Sequence, residues 1–459
     1  MSALVVGGGF AGLAAAIALR ASGVPVTLVE HQSDVGGKAR ALRTAGATVD
    51  VGPTILVDPA PLRALLWLAG ADADEAPLER VDPVALVTFS NGTAFHWAAT
   101  PDATAEAVAD LGPHARDDWA RFLDVGARAA RLAARFVERG DVAGPHDLWR
   151  LVAGGGVPVG DLVPFVRHPS LAALLAARIR TPALRRWLGH FARFVGLEAH
   201  TAPAVTLVIP YLVATSGAWY PRGGFAALAS RLGRLAEDRG VVMALGTPVE
   251  RLEATPARVV AVTAGRRIVA ARGVSAVDVV TTAAWLGPEM LRRTAGRLTP
   301  ASSTVVAWWV VQGHAPIRTH HAFHFADDGE PLYVATPTVS DPTLAPPGVD
   351  IVYALLHVPP GTTLPRRLGA LLRRRVEAHG QWPGGPVLAE GVEGGGPSCY
   401  GYRIGPGLFR SFRPSQRVPG LPLAMAGGSV FPGPGVANAL RSGLRAAALL
   451  GGASRAESA

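Results

Sequence analysis

Cysteine is almost absent from this 459-residue chain, with Cys399 the only one. A lone thiol excludes an intramolecular disulfide framework and any cysteine-rich metal or iron–sulfur site, and it fits a reducing compartment. Charged residues are sparse at 17% against 49% hydrophobic, a balance that excludes a disordered chain. Long apolar runs are missing as well. The longest uncharged stretches, 199–221 and 418–440, are interrupted by Pro203, Pro210, Gly217, Pro419, Pro422, Pro432 and Pro434, so they read as broken core structure and not as membrane spans. The first apolar run, 3–6, is short and follows no basic residue, so no targeting peptide is predicted. A P-loop, a serine-nucleophile elbow and a His-Glu-x-x-His pair are also missing. The run His320-His321-x-x-His324 lacks companion acids in ligand spacing; it reads as surface or packing histidines, and no metal is expected.

The net charge is +9, and arginine greatly outnumbers lysine. The arginines are scattered and no nucleic-acid motif accompanies them, so nucleic acid is not an expected partner. A mildly basic face toward a membrane is one reading. A genome composition that enriches Arg, Ala and Gly is the other.

What is present begins at once. Leu4 to Val6 reads as a strand, Gly7 to Gly12 as a glycine-rich turn, Leu13 to Ser22 as a helix and Val26 to Glu30 as a second strand. This is one βαβ unit carrying Gly7-Gly8-Gly9-Phe10-Ala11-Gly12. Gly7 permits the tight turn, Gly9 lets a pyrophosphate approach the backbone, and Gly12 lets the helix pack close to the sheet. The amides around Phe10 and Ala11 and the helix dipole face the phosphates. Glu30, ending the second strand, can accept hydrogen bonds from ribose hydroxyls. Further along, Asn91-Gly92 between two apolar runs, 84–90 and 93–97, predicts a hairpin. Residues 100–200 read as helical, Phe225 to Arg239 as a helix, and Val241 to Leu245 with 258–262 and 267–271 as strands. Runs at 304–311, 332–336 and 351–358 predict an antiparallel sheet, and Leu423 to Ala426 with Val436 to Leu450 a last strand and helix.

Gly36-Gly37-Lys38-Ala39-Arg40 and Asp50-Val51-Gly52-Pro53-Thr54 follow the βαβ unit. Here the sequence resembles the flavin amine oxidase superfamily, which carries an acid, then Gly-Gly-Arg, then a glycine close to the flavin. The resemblance implies FAD, with Gly37 and Gly52 beside it. Lys38 stands where arginine is usual; it keeps the charge but loses bidentate geometry, and Arg40 is the substitute. Val249 matches a valine whose backbone meets adenine. Trp219-Tyr220-Pro221-Arg222-Gly223-Gly224-Phe225, Thr338 to Gly348, Phe412-Arg413-Pro414 and the ending Gly427 to Val436 resemble the carotenoid desaturases, the ending being most similar to 3,4-desaturases of the hydroxyneurosporene type. Gly428, Ser429, Gly435 and Val436 are then flavin-side residues. The glycine-rich turn aims free amides at one point, where negative charge gathers on reduction. Phe431 replaces the usual histidine, and its ring is expected to line the substrate pocket.

The predicted fold is α/β: a Rossmann-like FAD-binding domain with an inserted substrate domain of helices and an antiparallel sheet. The expected segments are 1–100, 221–290 and 396–459 for FAD, 101–220 for a helical, membrane-facing region and 291–395 for the sheet. The resemblance implies an FAD-dependent desaturase that moves a hydride from an apolar polyene to flavin N5, in a cytoplasmic protein lying against a membrane, with quinone or oxygen as electron acceptor. An amine oxidase, a carotenoid isomerase or saturase, and a lipid-binding chaperone of the same fold are the alternatives. No catalytic acid or base stands out; Glu198, Asp161 and His200 are candidates only because they interrupt an apolar region.

Overall fold

A computed structural model of the chain describes residues 1–139, 145–154, 156–296, 298–327, 329–365, 367–405 and 412–451. Residues 452–459 lie outside the described residues. Four-residue apolar strands at Ala3–Val6 and Val26–Val29 pair in parallel, and the helix Phe10–Ala21 connects them. The helix starts at Phe10, inside the predicted turn. Gly7 alone needs the left-handed region there, at φ 102°, and Gly9 already has extended backbone as the helix cap.

Three strands distant in sequence complete this parallel sheet. The order is Val242–Ala244, Val26–Val29, Ala3–Val6, Arg272–Ser275, Leu423–Met425. The N-terminal, middle and C-terminal parts of the chain therefore meet in one sheet. Its strands are mostly apolar on both faces, because the helix Phe10–Ala21 packs on one face and a three-stranded antiparallel meander on the other. The helices Phe10–Ala21 and Val436–Leu449 cross so closely that a Cβ on Gly443 would lie 2.1 Å from the Ala11 carbonyl oxygen. Val249–Thr255, Arg258–Thr263 and Arg266–Ala270 form a separate antiparallel meander.

The second large sheet has seven strands, ordered Val387–Gly394, Ser303–Gln312, Val349–Val358, Leu332–Ala335, His321–Phe325, Ala85–Phe89, Ala94–Trp97. The last two are the Asn91-Gly92 hairpin. Leu86 pairs with Ala322 and Val87 with Phe323, in parallel register. Residues 85–97 thus pair into this sheet. The hairpin's period-2 pattern was visible, but nothing in it identifies the strand it pairs with. After the hairpin the chain forms the helices Ala115–Arg139, Val159–Arg167, Leu171–Arg178, Pro182–His190 and Val208–Ser216, which pack largely on one another. Trp97, Trp119, Trp187 and Phe191 interlock at ring distances of 4.8–6.2 Å and fasten this helical layer to the hairpin.

Candidate functional site

The glycine-rich turn is held by its neighbours. Gly7 N donates to Val29 O at 2.8 Å, and Gly8 N donates to Glu30 Oε2 at 2.6 Å. Glu30 Oε1 accepts from Gln32 N at 2.9 Å, so the buried carboxyl group bridges the turn and the end of the second strand. A Cβ on Gly12 would lie 1.8 Å from Gly7 O, which leaves glycine as the residue that fits. Gly9 is different, because a Cβ there would meet nothing closer than Gly37 Cα at 3.9 Å. The space beside Gly9 is open within the protein.

The other candidate segments converge here. Gly36 N donates to Gly8 O at 2.9 Å, and a Cβ on Gly37 would approach Gly9 Cα to 3.2 Å. A Cβ on Gly52 would lie 2.2 Å from Lys38 O, so the second glycine segment runs directly under the Lys38 backbone. Thr247 N donates to Glu30 O at 2.8 Å and Gly246 N to Gln32 O at 2.7 Å, which brings the segment before Val249 alongside Glu30. Lys38 Nζ donates to the Cys399 carbonyl at 2.9 Å, while Arg40 is exposed. In the terminal turn, Ser429 Oγ accepts from Val279 N at 3.0 Å, and Gly435 caps the last helix.

Two helices that cross at Ala11 and Gly443 begin with glycine caps, at Gly9 and Gly435. Neither has a side-chain cap or an acid in its first turn. Bare amides and a positive dipole end favour an anion, and the open space at Gly9 admits one against the backbone. A carboxyl group beside them suits ribose hydroxyls. The donor set fits a dinucleotide with a pyrophosphate.

Residues 10–348 match the family described as flavin containing amine oxidoreductase. The chain belongs to that family. It is an FAD-dependent oxidoreductase. Among its relatives, the 4,4'-diapolycopene oxygenase of Methylomonas sp is 29% identical over 403 residues, covering 81% of this chain and 79% of that one. The 4,4'-diaponeurosporene oxygenase of Staphylococcus aureus (strain USA300) is 27% identical over 379 residues, with 78% and 75% covered. Among solved structures, an oxidoreductase from Methanosarcina mazei superposes with a TM-score of 0.66 at 17% identity, covering 97% of this chain and 99% of that one. Cyclohexylamine oxidase from Brevibacterium oxydans gives 0.65 at 16%, with 98% of each covered. These structures share the fold.

In this flavin-containing oxidoreductase, the seven-stranded sheet reaches the Gly52 turn through tyrosines. Tyr353 OH donates to Gly52 O at 3.4 Å and Tyr333 OH donates to Thr54 Oγ1 at 2.9 Å. Burial pushes both phenols up, so they are neutral. Phe323 packs at a tilt against Tyr333, 5.1 Å between ring centres, and Phe191 and Phe194 approach Phe323 at 6.5 and 6.3 Å. His320, His321 and His324 are buried packing histidines of this region. Burial holds His321 and His324 down to about 3, and neither carries charge at neutral pH.

The three acid–base candidates do not gather at this wall. Asp161 is paired with Arg131 at 2.7 Å between two helices, Glu198 is ion-paired with Arg193, and His200 is exposed. Sequence reasoning missed Arg413, which lies buried under the terminal turn. Its NH1 donates to Tyr402 O at 3.3 Å, and a Cβ on Gly433 would meet its Nε at 2.6 Å. Burial lowers this guanidinium to about 10. Its signal was present in Phe412-Arg413-Pro414. The tyrosine wall had none beyond strand alternation. Phe431 lies under a cation, with the Arg445 guanidinium 5.3 Å from its ring centre.

Proposed function

We propose that the chain oxidises a carotenoid-type polyene with its bound FAD. The observation that carries this reading is the wall of neutral aromatic side chains, Phe191, Phe194, Phe323, Tyr333 and Tyr353, that meets the Gly52 turn. Such a wall offers contact area and dispersion to an extended apolar chain. The carotenoid names of the relatives support the same substrate class. FAD, when bound, supplies a two-electron acceptor. The protein's part is to hold the polyene, exclude water and take away a proton. The cofactor would be held by Gly7, Gly9, Phe10, Ala11, Gly12, Glu30, Gly37, Gly52, Val249, Gly428, Ser429, Gly435 and Val436, with Lys38 and Arg40 at the rim.

Two outcomes of the oxidation stand against each other. Dehydrogenation to a new double bond is the desaturase reading, of the phytoene or 3,4-desaturase type; oxygenation is what the relatives' names favour. The holoenzyme mixed anaerobically with phytoene or with 4,4'-diapolycopene should lose its flavin absorbance. Product mass then separates the two: loss of two hydrogens marks desaturation, and a gain of labelled oxygen under labelled dioxygen marks oxygenation. A flavin that no polyene bleaches, but that an amine does, overturns the reading.

No helix among the described residues is long and apolar enough to cross a membrane. Delivery of so apolar a substrate is proposed to occur at a membrane surface. Val159, Val163 and Val166 on one helix and Trp149 on its neighbour are exposed beside Arg128, Arg131 and Arg150.

A further inference from the structure

Between the Gly52 turn and the seven-stranded sheet lies a small cavity lined by Asp50, Thr54, Tyr220, His320 and Tyr353 among others. His320 is wholly buried. Its Nδ1 is engaged by Ser340 Oγ at 2.7 Å, and its Nε2 has no partner among the described residues. His321 next to it is engaged at Nδ1 by Tyr333 OH at 2.8 Å, and its Nε2 is likewise without a partner. Buried nitrogens are rarely left unmatched, and this cavity, walled also by Ala335, Pro337 and Ile351 and about 10 Å³ in volume, has room for about one water among Asp50, Thr54, Tyr220, His320 and Tyr353.

Asp50 closes the other side. Its Oδ2 accepts from Tyr220 OH at 2.7 Å and from Phe225 N at 2.9 Å. Among the described residues Oδ1 receives only a long contact from Ala226 N at 3.5 Å, which leaves that oxygen with unused accepting capacity. Burial raises this carboxyl to about 6, within reach of proton exchange at neutral pH. The titratable groups around it are Tyr220 on the strand Ala218–Pro221, His320 and His321 at the start of the strand His321–Phe325, Tyr333 and Tyr353 on the next two strands of that sheet, and Asp341 near Gly223. No cation pairs with Asp50 among the described residues.

We propose that this cavity holds water which, oriented by His320, carries the proton released during polyene oxidation from Thr54 to the Asp50 carboxylate. The inference rests on the polyene reading, taken as dehydrogenation. As one carbon gives up its hydride pair to the flavin, the C–H bond on the neighbouring carbon breaks and its electrons form the new double bond. That proton is taken by Thr54 Oγ1 while the Thr54 hydroxyl proton passes to the water, and a water proton goes to Asp50. The relay is neutral before and after except at Asp50, which becomes the acid and returns the proton to solvent. Tyr333 OH, already donating to Thr54 Oγ1, fixes the direction of the Thr54 hydroxyl.

The test uses the FAD-loaded protein and two readouts. The first needs no polyene: the flavin midpoint potential is measured against pH with a dye reductant. Wild type should show a change of slope near pH 6, because reduction and Asp50 protonation are coupled. Asp50→Asn should lose it. Tyr220→Phe, which leaves the carboxyl in place and removes one donor, should move the break to higher pH. Asp50 also caps a helix, so the Tyr220→Phe shift decides the matter if Asp50→Asn does not fold. The second readout is anaerobic flavin reduction by the polyene, which should fall about tenfold per pH unit below the break in wild type. A break that stays in place in Asp50→Asn, or that Tyr220→Phe does not move, overturns the relay. Failure of every polyene to reduce the flavin, with the break intact, overturns the substrate reading and leaves the relay standing.

Discussion

Gly8 N donates to Glu30 Oε2 at 2.6 Å, so the glycine-rich turn and the acid that follows the second strand are one hydrogen-bonded unit. The two glycines on either side of this link do different work. Gly12 is fixed by the protein itself, with 1.8 Å between its would-be Cβ and Gly7 O, whereas Gly9 borders open space. Gly12→Ala is expected to destabilise the fold by at least 1–3 kcal/mol, a typical cost of overpacking. Gly9→Ala should leave the melting temperature of the cofactor-free protein unchanged and abolish stoichiometric FAD. Thermal melts with and without FAD, beside flavin absorbance after dialysis, read both. Equal loss of fold in the two variants would remove the distinction.

Asp50 gives a pH dependence of stability with a definite sign. Its carboxyl is raised from 3.8 to about 6 by burial, so the folded protein prefers the protonated form. The contribution is fully present below pH 3.8 and is lost as pH rises through 6. The span of about two units corresponds to about 3 kcal/mol, as an order of magnitude. In urea titrations, Asp50→Asn should therefore gain on wild type between pH 4 and pH 7. A difference that is flat in pH would show that the hydrogen bonds from Tyr220 and Phe225 cancel the burial.

The first sheet was legible because its signals are local. A glycine turn, a helix and an acid at fixed spacing report one unit, and the resemblance extended it to Lys38, Gly52 and Gly435. Lys38, however, donates to the Cys399 carbonyl, a contact across 361 positions that no spacing encodes. The same limit hid the placement of the Asn91-Gly92 hairpin and the close crossing of Gly443 on Ala11. Asp50 was quoted as part of a motif, but its burial beneath Tyr220 follows from tertiary packing. The acids chosen for interrupting an apolar region, Asp161 and Glu198, turned out to be ion-paired to arginines. A charge inside an apolar stretch more often marks such a pair than a working acid.

The exposed apolar row beside arginines gives a test of membrane contact. Trp149 is 65% exposed and Val163 50%. Seating such side chains in a bilayer contributes about 1.5–3 kcal/mol each, so Trp149→Ser with Val163→Asp should reduce vesicle partitioning at least about tenfold. Wild type should bind anionic vesicles more tightly than neutral ones, and added salt should narrow the gap. Sedimentation with vesicles at low and high salt measures both. Unchanged partitioning of the double variant would place the contact elsewhere.

Phe431 separates two roles in one residue. Its half-buried ring faces the Arg445 guanidinium at 5.3 Å, and Arg445 also donates to Val137 O on a helix of the inserted layer. The proposal is that the opposite face of the ring meets the polyene, where it adds contact area and offers no proton. The cation–π contact contributes about 0.5–2 kcal/mol. On that basis Phe431→Ala should cost little more than this in stability and should keep its FAD. Its turnover per bound flavin should fall, or its product pattern change. Phe431→His, the residue usual in the resembling enzymes, should retain FAD and shift substrate preference. Melting temperature, flavin occupancy and product ratio are read together. If Phe431→Ala loses stability and FAD in parallel while turnover per bound flavin stays at the wild-type value, the ring is a brace for Arg445 and the substrate lies elsewhere along the tyrosine wall.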